Sequence, residues 1–222
     1  MRRRVPLATV TAVAGGRPRG EPRAHARVAG VLLAPGAGGA ADNPAFVSLA
    51  ETVARTGVAV DRMDFPYRLA GRRRPDAPAV LEASVRERAD ALAERLGTGA
   101  CHLVLGGRSM GGRICSQVVA EGLPAAGLAL VSYPLHPPGR PGQLRTSHFP
   151  AIEVPCLFVS GTRDAFANPS ELEEATAAIP GAVTHVWLER GDHGLRNHVA
   201  DAANAIAEWL TSTFTLVHAR SD

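Results

Sequence analysis

The chain has 222 residues, 45% of them hydrophobic and 20% charged, with a formal net charge of +3. That is enough chain for one sizeable core and too little charge to imply a nucleic-acid partner by itself. Every basic residue other than histidine is arginine, which excludes Schiff-base, pyridoxal-phosphate and P-loop lysine chemistry, and no apolar run approaches the ~20 residues of a membrane span.

In chain order, the first stretch is "MRRRVPLATVTAVAGG". It has two readings. A basic head, a short apolar stretch and Ala12-Val13-Ala14 fit a cleavable leader. The alternation of Leu7, Thr9, Thr11 and Val13 with Ala8, Val10 and Ala12 fits an outer strand. Pro6, Thr9 and Thr11 interrupt the apolar stretch, which favours the strand and a cytoplasmic protein. Residues 1–27 are therefore taken as an N-terminal segment. Six apolar runs follow, "VAGVLLA" (28–34), "VAVDRMDF" (58–65), "CHLVLGG" (101–107), "GLALVSY" (127–133), "PCLFVSG" (155–161) and "VTHVWLE" (183–189). Continuous apolar runs suit parallel strands covered on both faces. Between them lie helical patterns. Asn43-Pro44 and Asn168-Pro169 supply a capping amide before a first-turn proline, and Gly57 and Gly97 mark helix ends. Apolar stripes run over 78–96 and 198–211.

This alternation predicts an α/β fold, a doubly wound and mostly parallel sheet of about seven strands with helices on both faces. The domain is expected over 28–213, with a tail over 214–222 and no separate lid domain. Two long loops, 66–77 and 134–152, follow strands and so belong at the carboxyl edge of the sheet, where ligands bind in this architecture.

One strand–helix junction reads Gly107-Arg108-Ser109-Met110-Gly111, a G-x-S-x-G sequence in the context that makes it a nucleophile elbow. A serine nucleophile needs a base, and the base an orienting acid, in the chain order serine, acid, histidine. Asp164 follows the fifth run and His193 the sixth. Positions 122–152 hold no Asp or Glu, so no acid follows the fourth run. Asp192 adjoins His193 and is poorly placed to bond its ring, so it is read as structural. Backbone N–H groups of Met110 and Ala37 are the expected oxyanion donors. Residues 36–41, Gly-Ala-Gly-Gly-Ala-Ala, also fit G-x-G-x-x-A, with Asp61 about 20–25 residues downstream, as in a dinucleotide site. Against this, Asp42-Asn43-Pro44 caps the next helix afresh and displaces its start from the glycines. No metal is expected, because no zinc-protease motif, paired CxxC or carboxylate cluster occurs. Cys101, Cys115 and Cys156 have no ligand spacing and read as buried free thiols of a reducing compartment.

These residues resemble the small hydrolases of the dienelactone-hydrolase type. Longer strings, "PGAGG" (35–39), "DFPYRLAGRRRPD" (64–76), "GGRSMGGR" (106–113), "YPLHPPGRPGQLR" (133–145), "PCLFVSGTRDAF" (155–166) and "GDH" (191–193), resemble a narrower group. That group comprises the testis-expressed-protein-thirty-like hydrolases and the related non-specific-lethal-complex subunit. The resemblance implies an α/β-hydrolase fold and a serine triad, and no particular substrate. Pro35, Ala165, Ala167 and Gly194 depart from residues common in that group and leave the pocket shape unspecified.

The expectation is a serine hydrolase that needs no cofactor. It would cleave a small ester or thioester, and the partner would be a small acyl molecule rather than nucleic acid or membrane. Arg72, Arg73, Arg74, His136, Arg140 and Arg145 lie in the two long loops. They are the candidate rim, suited to an anionic substrate. The alternative is a catalytically silent protein-interaction module on the same fold.

Overall fold

Continuous apolar runs end up at the centre of the sheet, where both of their faces are covered. The computed structural model describes residues 9–13, 26–137 and 139–218. The strands are β1 (Thr9–Val13), β2 (Arg27–Val28), β3 (Gly30–Ala34), β4 (Ala59–Arg62), β5 (Leu103–Arg108), β6 (Gly127–Val131), β7 (Cys156–Gly161), β8 (Val183–Leu188) and β9 (Thr215–Leu216). The helices are α1 (Pro44–Ala54), α2 (Pro66–Leu69), α3 (Pro78–Arg95), α4 (Met110–Ala120), α5 (Pro169–Thr176) and α6 (Val199–Thr213). The seven-stranded sheet has the order β1-β8-β7-β6-β5-β3-β4. β3 to β8 are parallel, and β1 lies antiparallel along β8 as an outer strand. The rest of the leader reading, residues 1–8 and Ala14, lies outside the described residues.

Period-two alternation sends successive residues of one strand to opposite faces. In β6, Leu128 and Leu130 join the core under α3, α4 and α5, while Ala129 and Val131 join the core under α1 and α6. Each fully buried Leu or Val contributes about 1.5–3 kcal/mol of transfer free energy. β2 and β9 form a two-stranded parallel ribbon. It lays Arg27-Val28 beside Thr215-Leu216. No helix among the described residues is long and apolar enough to cross a membrane.

The helix signals act as capping chemistry requires. The Asn43 side chain accepts from the Ala45 and Phe46 amides at 3.1 and 3.4 Å. Asn168 and Glu171 form a reciprocal capping box at the start of α5. One expectation needs correction. Cys115 and Cys156 are buried, and burial pushes the Cys115 thiol up to about 12, but Cys101 is exposed. It sits in the short 3₁₀ turn Ala100–His102 ahead of β5, before the chain dives into the sheet.

Candidate active site

The β5–α4 junction is a close approach of two backbones. A Cβ on Gly107 would lie 2.0 Å from the Ala34 carbonyl oxygen, and one on Gly111 would lie 2.2 Å from the same atom. Gly107 also has φ +146°, which L side chains rarely adopt. The two glycines flanking Ser109 therefore let the turn press against the end of β3. Ser109 itself takes φ 51° and ψ −117°, a strain of about 1–3 kcal/mol for a non-glycine residue. Its amide donates to the Val131 carbonyl at 2.9 Å, which fixes the turn to the end of β6.

Two other strand ends are joined in the same way. A Cβ on Gly161 would meet the Gly191 carbonyl at 2.1 Å, and the Arg163 amide donates to that carbonyl at 2.9 Å. This contact draws the loops after β7 and β8 together. Asp164, with a side chain 0% exposed, puts Oδ2 2.8 Å and Oδ1 3.0 Å from His193 Nδ1. His193 Nε2 lies 2.9 Å from Ser109 Oγ. With Nδ1–H donating to the carboxylate, Nε2 is left to accept the serine proton. Asp192 instead accepts from the Leu195 amide at 2.9 Å, a loop-forming bond.

Three residues that the motif reading missed hold this arrangement. The Phe166 ring stacks on the His193 ring, with centroids 4.0 Å apart and planes 25° apart. Its amide donates to Asp164 Oδ1 at 2.8 Å, and its carbonyl accepts from the His136 amide at 3.3 Å. Arg108 donates through Nη2 to the His193 carbonyl at 3.1 Å. Burial lowers the Arg108 pKa, and the Asp192 and Asp164 carboxylates oppose that shift. Tyr67 donates to the Ala37 carbonyl at 2.7 Å and so ties the loop after β4 to the glycine loop after β3. Arg108 was visible as an inner residue of G-x-S-x-G, and Phe166 as the residue two beyond the acid. Tyr67 had only the "DFPY" string to mark it.

The glycine loop passes close to Ser109. A Cβ on Gly36 would lie 3.5 Å from Ser109 Cβ, and among the described residues the Ala37 amide has no acceptor. Met110 opens α4, where first-turn N–H groups lack intrahelical acceptors and the helix end is positive. Among the described residues both N–H groups are thus left without a backbone acceptor in the segments on either side of the Ser109 turn. The dinucleotide alternative loses its geometry here. Asn43 caps α1 at a distance in sequence from the glycines, and Arg88 holds Asp61 at 2.8 Å. Among the described residues no three His, Cys, Asp or Glu side chains are grouped to hold a metal.

The expected rim residues separate. Arg72 pairs with Asp76 at 2.6 Å, Arg73 and Arg74 are exposed, and so is Arg140. His136 is not on the rim. It is 5% exposed, because Nδ1 turns back to the Pro137 carbonyl at 2.9 Å and its backbone bonds Phe166. Arg145 is half-buried against the end of β6. A cavity of about 370 Å³ opens on the outer side of the glycine loop, between Arg62, Asp64, Ser84 and Arg88, and does not include Ser109.

Solved structures share this architecture. An alpha/beta-superfamily protein from Xanthomonas campestris pv. campestris is 24% identical, with TM-score 0.63 over 83% of this chain and 99% of that one. An alpha-beta serine hydrolase homologue from Coxiella burnetii is 18% identical, with TM-score 0.67 over 91% of this chain and 90% of its own. A dienelactone hydrolase from Anabaena variabilis is also 18% identical, with TM-score 0.67 over 95% and 99%. These likenesses bear on the fold. The family model described as alpha/beta hydrolase domain matches residues 27–217, which takes in the β2–β9 ribbon as well as the sheet. A match of that extent, over most of the chain, makes the chain a member of the alpha/beta hydrolase domain family.

Proposed function

We propose that this hydrolase is a serine enzyme acting on a small ester or thioester through an acyl-enzyme on Ser109. Within the family we assign it to the narrower group that its "DFPY" and proline-rich strings resemble, and to a reducing, cytoplasmic setting that suits its free thiols. The observation that carries the reading is the relay from Ser109 Oγ to His193 Nε2 at 2.9 Å and from His193 Nδ1 to Asp164 Oδ2 at 2.8 Å. It starts at a serine held in a strained turn.

In the first half-reaction Ser109 Oγ attacks the acyl carbon while His193 Nε2 takes the hydroxyl proton. Asp164 holds the ring and stabilises the imidazolium. The Met110 and Ala37 N–H groups bind the oxyanion, a contact that strengthens only as charge develops. The intermediate collapses, the carbon–leaving-group bond breaks, and His193 returns its proton to the departing alcohol or thiol. Water then attacks the acyl-enzyme through the same base. The acid leaves and Ser109 regains its proton.

The test is covalent. A fluorophosphonate probe should label Ser109, and the protein should turn over p-nitrophenyl acetate. Ser109→Ala should abolish labelling and lower kcat by about 10³-fold or more with the fold retained. Wild-type esterase activity in that variant would remove the reading.

A further inference from the structure

Loop 134–152 is held against α4 by polar contacts outside the triad. Ser116 is fully buried, donates through Oγ to the Arg113 carbonyl at 2.8 Å, and lies 2.8 Å from His148 Nε2. With its one proton given to Arg113, Ser116 accepts from an Nε2–H of His148. Tyr133 donates to the Arg145 carbonyl at 2.7 Å, and the Arg145 amide donates to Leu135 at 2.8 Å. This network brings Arg113, Arg145 and His148 to one wall. Burial, then the Arg113 charge, takes His148 down to about 4, so it is neutral near pH 7 and the charge of the wall belongs to the two guanidiniums.

Among the described residues neither guanidinium meets an acid. Arg113 donates through Nη1 to Gln117 at 2.9 Å, and its Nε is buried without a partner. Among the described residues Arg145 reaches only the Pro134 carbonyl, at 3.5 Å. Burial lowers the Arg145 pKa and the Arg113 charge lowers it further, because the two cations repel. Residues 122–152 contain no Asp or Glu, and the carboxylate of Glu121 is held by Arg86 at 2.8 Å. Elsewhere the chain does pair such groups, Arg88 with Asp61 at 2.8 Å for example. Half-buried like charges without a counter-ion cost stability, and an anion removes that cost.

The pair also has a position. The Arg113 amide donates to the Ser109 carbonyl at 3.1 Å, one helical turn along α4. Val131 accepts from the Ser109 amide, and three residues further on Pro134 accepts from Arg145. The backbones that carry the pair therefore lie near the Ser109 turn on the β6 side, with the Arg113 guanidinium turned along α4 toward Gln117.

We propose that Arg113 and Arg145 form an anion subsite, and that the acyl substrate carries an oxyanion, carboxylate or phosphate, away from the bond that is cleaved. Planar guanidinium forks suit both groups. The word substrate rests on the serine-hydrolase reading of Ser109; the anion site itself does not.

The first experiment is binding, measured calorimetrically on Ser109→Ala protein with glutarate and, separately, inorganic phosphate. At least one should bind, and Arg145→Gln and Arg113→Gln should each weaken it about tenfold or more, with Arg145→Lys in between. Without ligand, the melting temperature of Arg145→Gln should hold or rise, since a repulsion is removed. A merely structural Arg145 would lower it. Glutarate binding alone assigns a carboxylate substrate, and phosphate binding alone a phosphorylated one. The second experiment compares kcat/KM for mono-p-nitrophenyl glutarate and p-nitrophenyl pentanoate. The anionic ester should be preferred, and Arg145→Gln should lower that ratio toward one. Turnover of the neutral ester with no binding of either anion would overturn the subsite and leave the hydrolase intact. Arginine-dependent anion binding without fluorophosphonate labelling of Ser109 would do the reverse.

Discussion

The loops after β4 and β6 both bring arginines to the carboxyl edge of the sheet, but they neutralise them differently. In residues 66–77, Arg72 sits four residues from Asp76 and pairs with it, and Arg73 and Arg74 stand in solvent. In residues 134–152, Arg145 is half-buried beside Arg113, and the segment has no acid of its own. The first loop has one buried anchor, Tyr67, whose hydroxyl also donates to Ala37. The second is anchored by buried Tyr133, Leu135, Phe149 and Ile152. The number of arginines in a loop thus says little about the field a ligand meets. Whether water or an acid already screens them decides it.

The comparison matters only if a working nucleophile lies between the loops, so the largest expected effect is at its orienting acid. Asp164→Asn presents a side-chain amide where a carboxylate accepted from His193, which favours the wrong tautomer. The expected loss is about 10³–10⁴-fold in kcat. Asp192→Asn keeps an acceptor for the Leu195 amide and should cost less than about tenfold. Steady-state rates with p-nitrophenyl acetate measure both. A larger loss at Asp192 would transfer the acid role to it.

A smaller effect tests how firmly the second loop is pinned. His148 is held at about 4 by burial and by Arg113, with Glu121 pulling weakly the other way, whereas an unfolded histidine titrates near 6.5. The folded state therefore binds fewer protons than the unfolded state between those values. The stability from this group is complete above about pH 6.5 and is lost as pH falls toward 4. His185, buried between Phe158 and Trp187, shifts the same way, also through burial. It therefore supplies a background slope. His148→Gln keeps a polar partner for Ser116 and removes one titration. Its unfolding free energy, measured with denaturant at pH 7, 5.5 and 4.5, should fall less steeply than the wild type's. Parallel slopes would mean that His148 is not held neutral on α4.

The strand ends were legible in the sequence because their positions follow from backbone rules. Apolar runs become central strands, and G-x-S-x-G needs glycines where Ala34 presses on the turn. Asp164 and His193 fall at strand ends whatever the loops do. The loops were not legible in this way. Sequence spacing placed His136 and Arg145 together on a rim, but the fate of each depends on long-range partners. His136 turns inward because its backbone holds Phe166, and Arg145 because Tyr133 holds its carbonyl. Arg113 hid in a helix pattern as an ordinary polar position. Only the fold of loop 134–152 onto α4 shows that its Nε has no partner.

The smallest expected effect belongs to the first loop. Replacing Arg72, Arg73 and Arg74 with Ser removes three positive charges, one of them already matched by Asp76. The other two stand in water, where the interaction with a bound anion is weak and falls off over a Debye length of ~10 Å at 0.1 M salt and ~3 Å at 1 M. What remains is steering, a rate effect that raises the encounter frequency of an anionic ester without holding it. The triple variant should therefore change the anionic-to-neutral ratio of kcat/KM by no more than about twofold at 0.1 M salt, and not at all at 1 M. Arg145→Gln should lower the same ratio at both salt concentrations, since a half-buried guanidinium is screened far less. Running both variants at both salts separates the loops directly. A triple variant that removes the preference at 1 M salt, with Arg145→Gln leaving it intact, would invert the comparison and make the exposed arginines the ones that hold the anion.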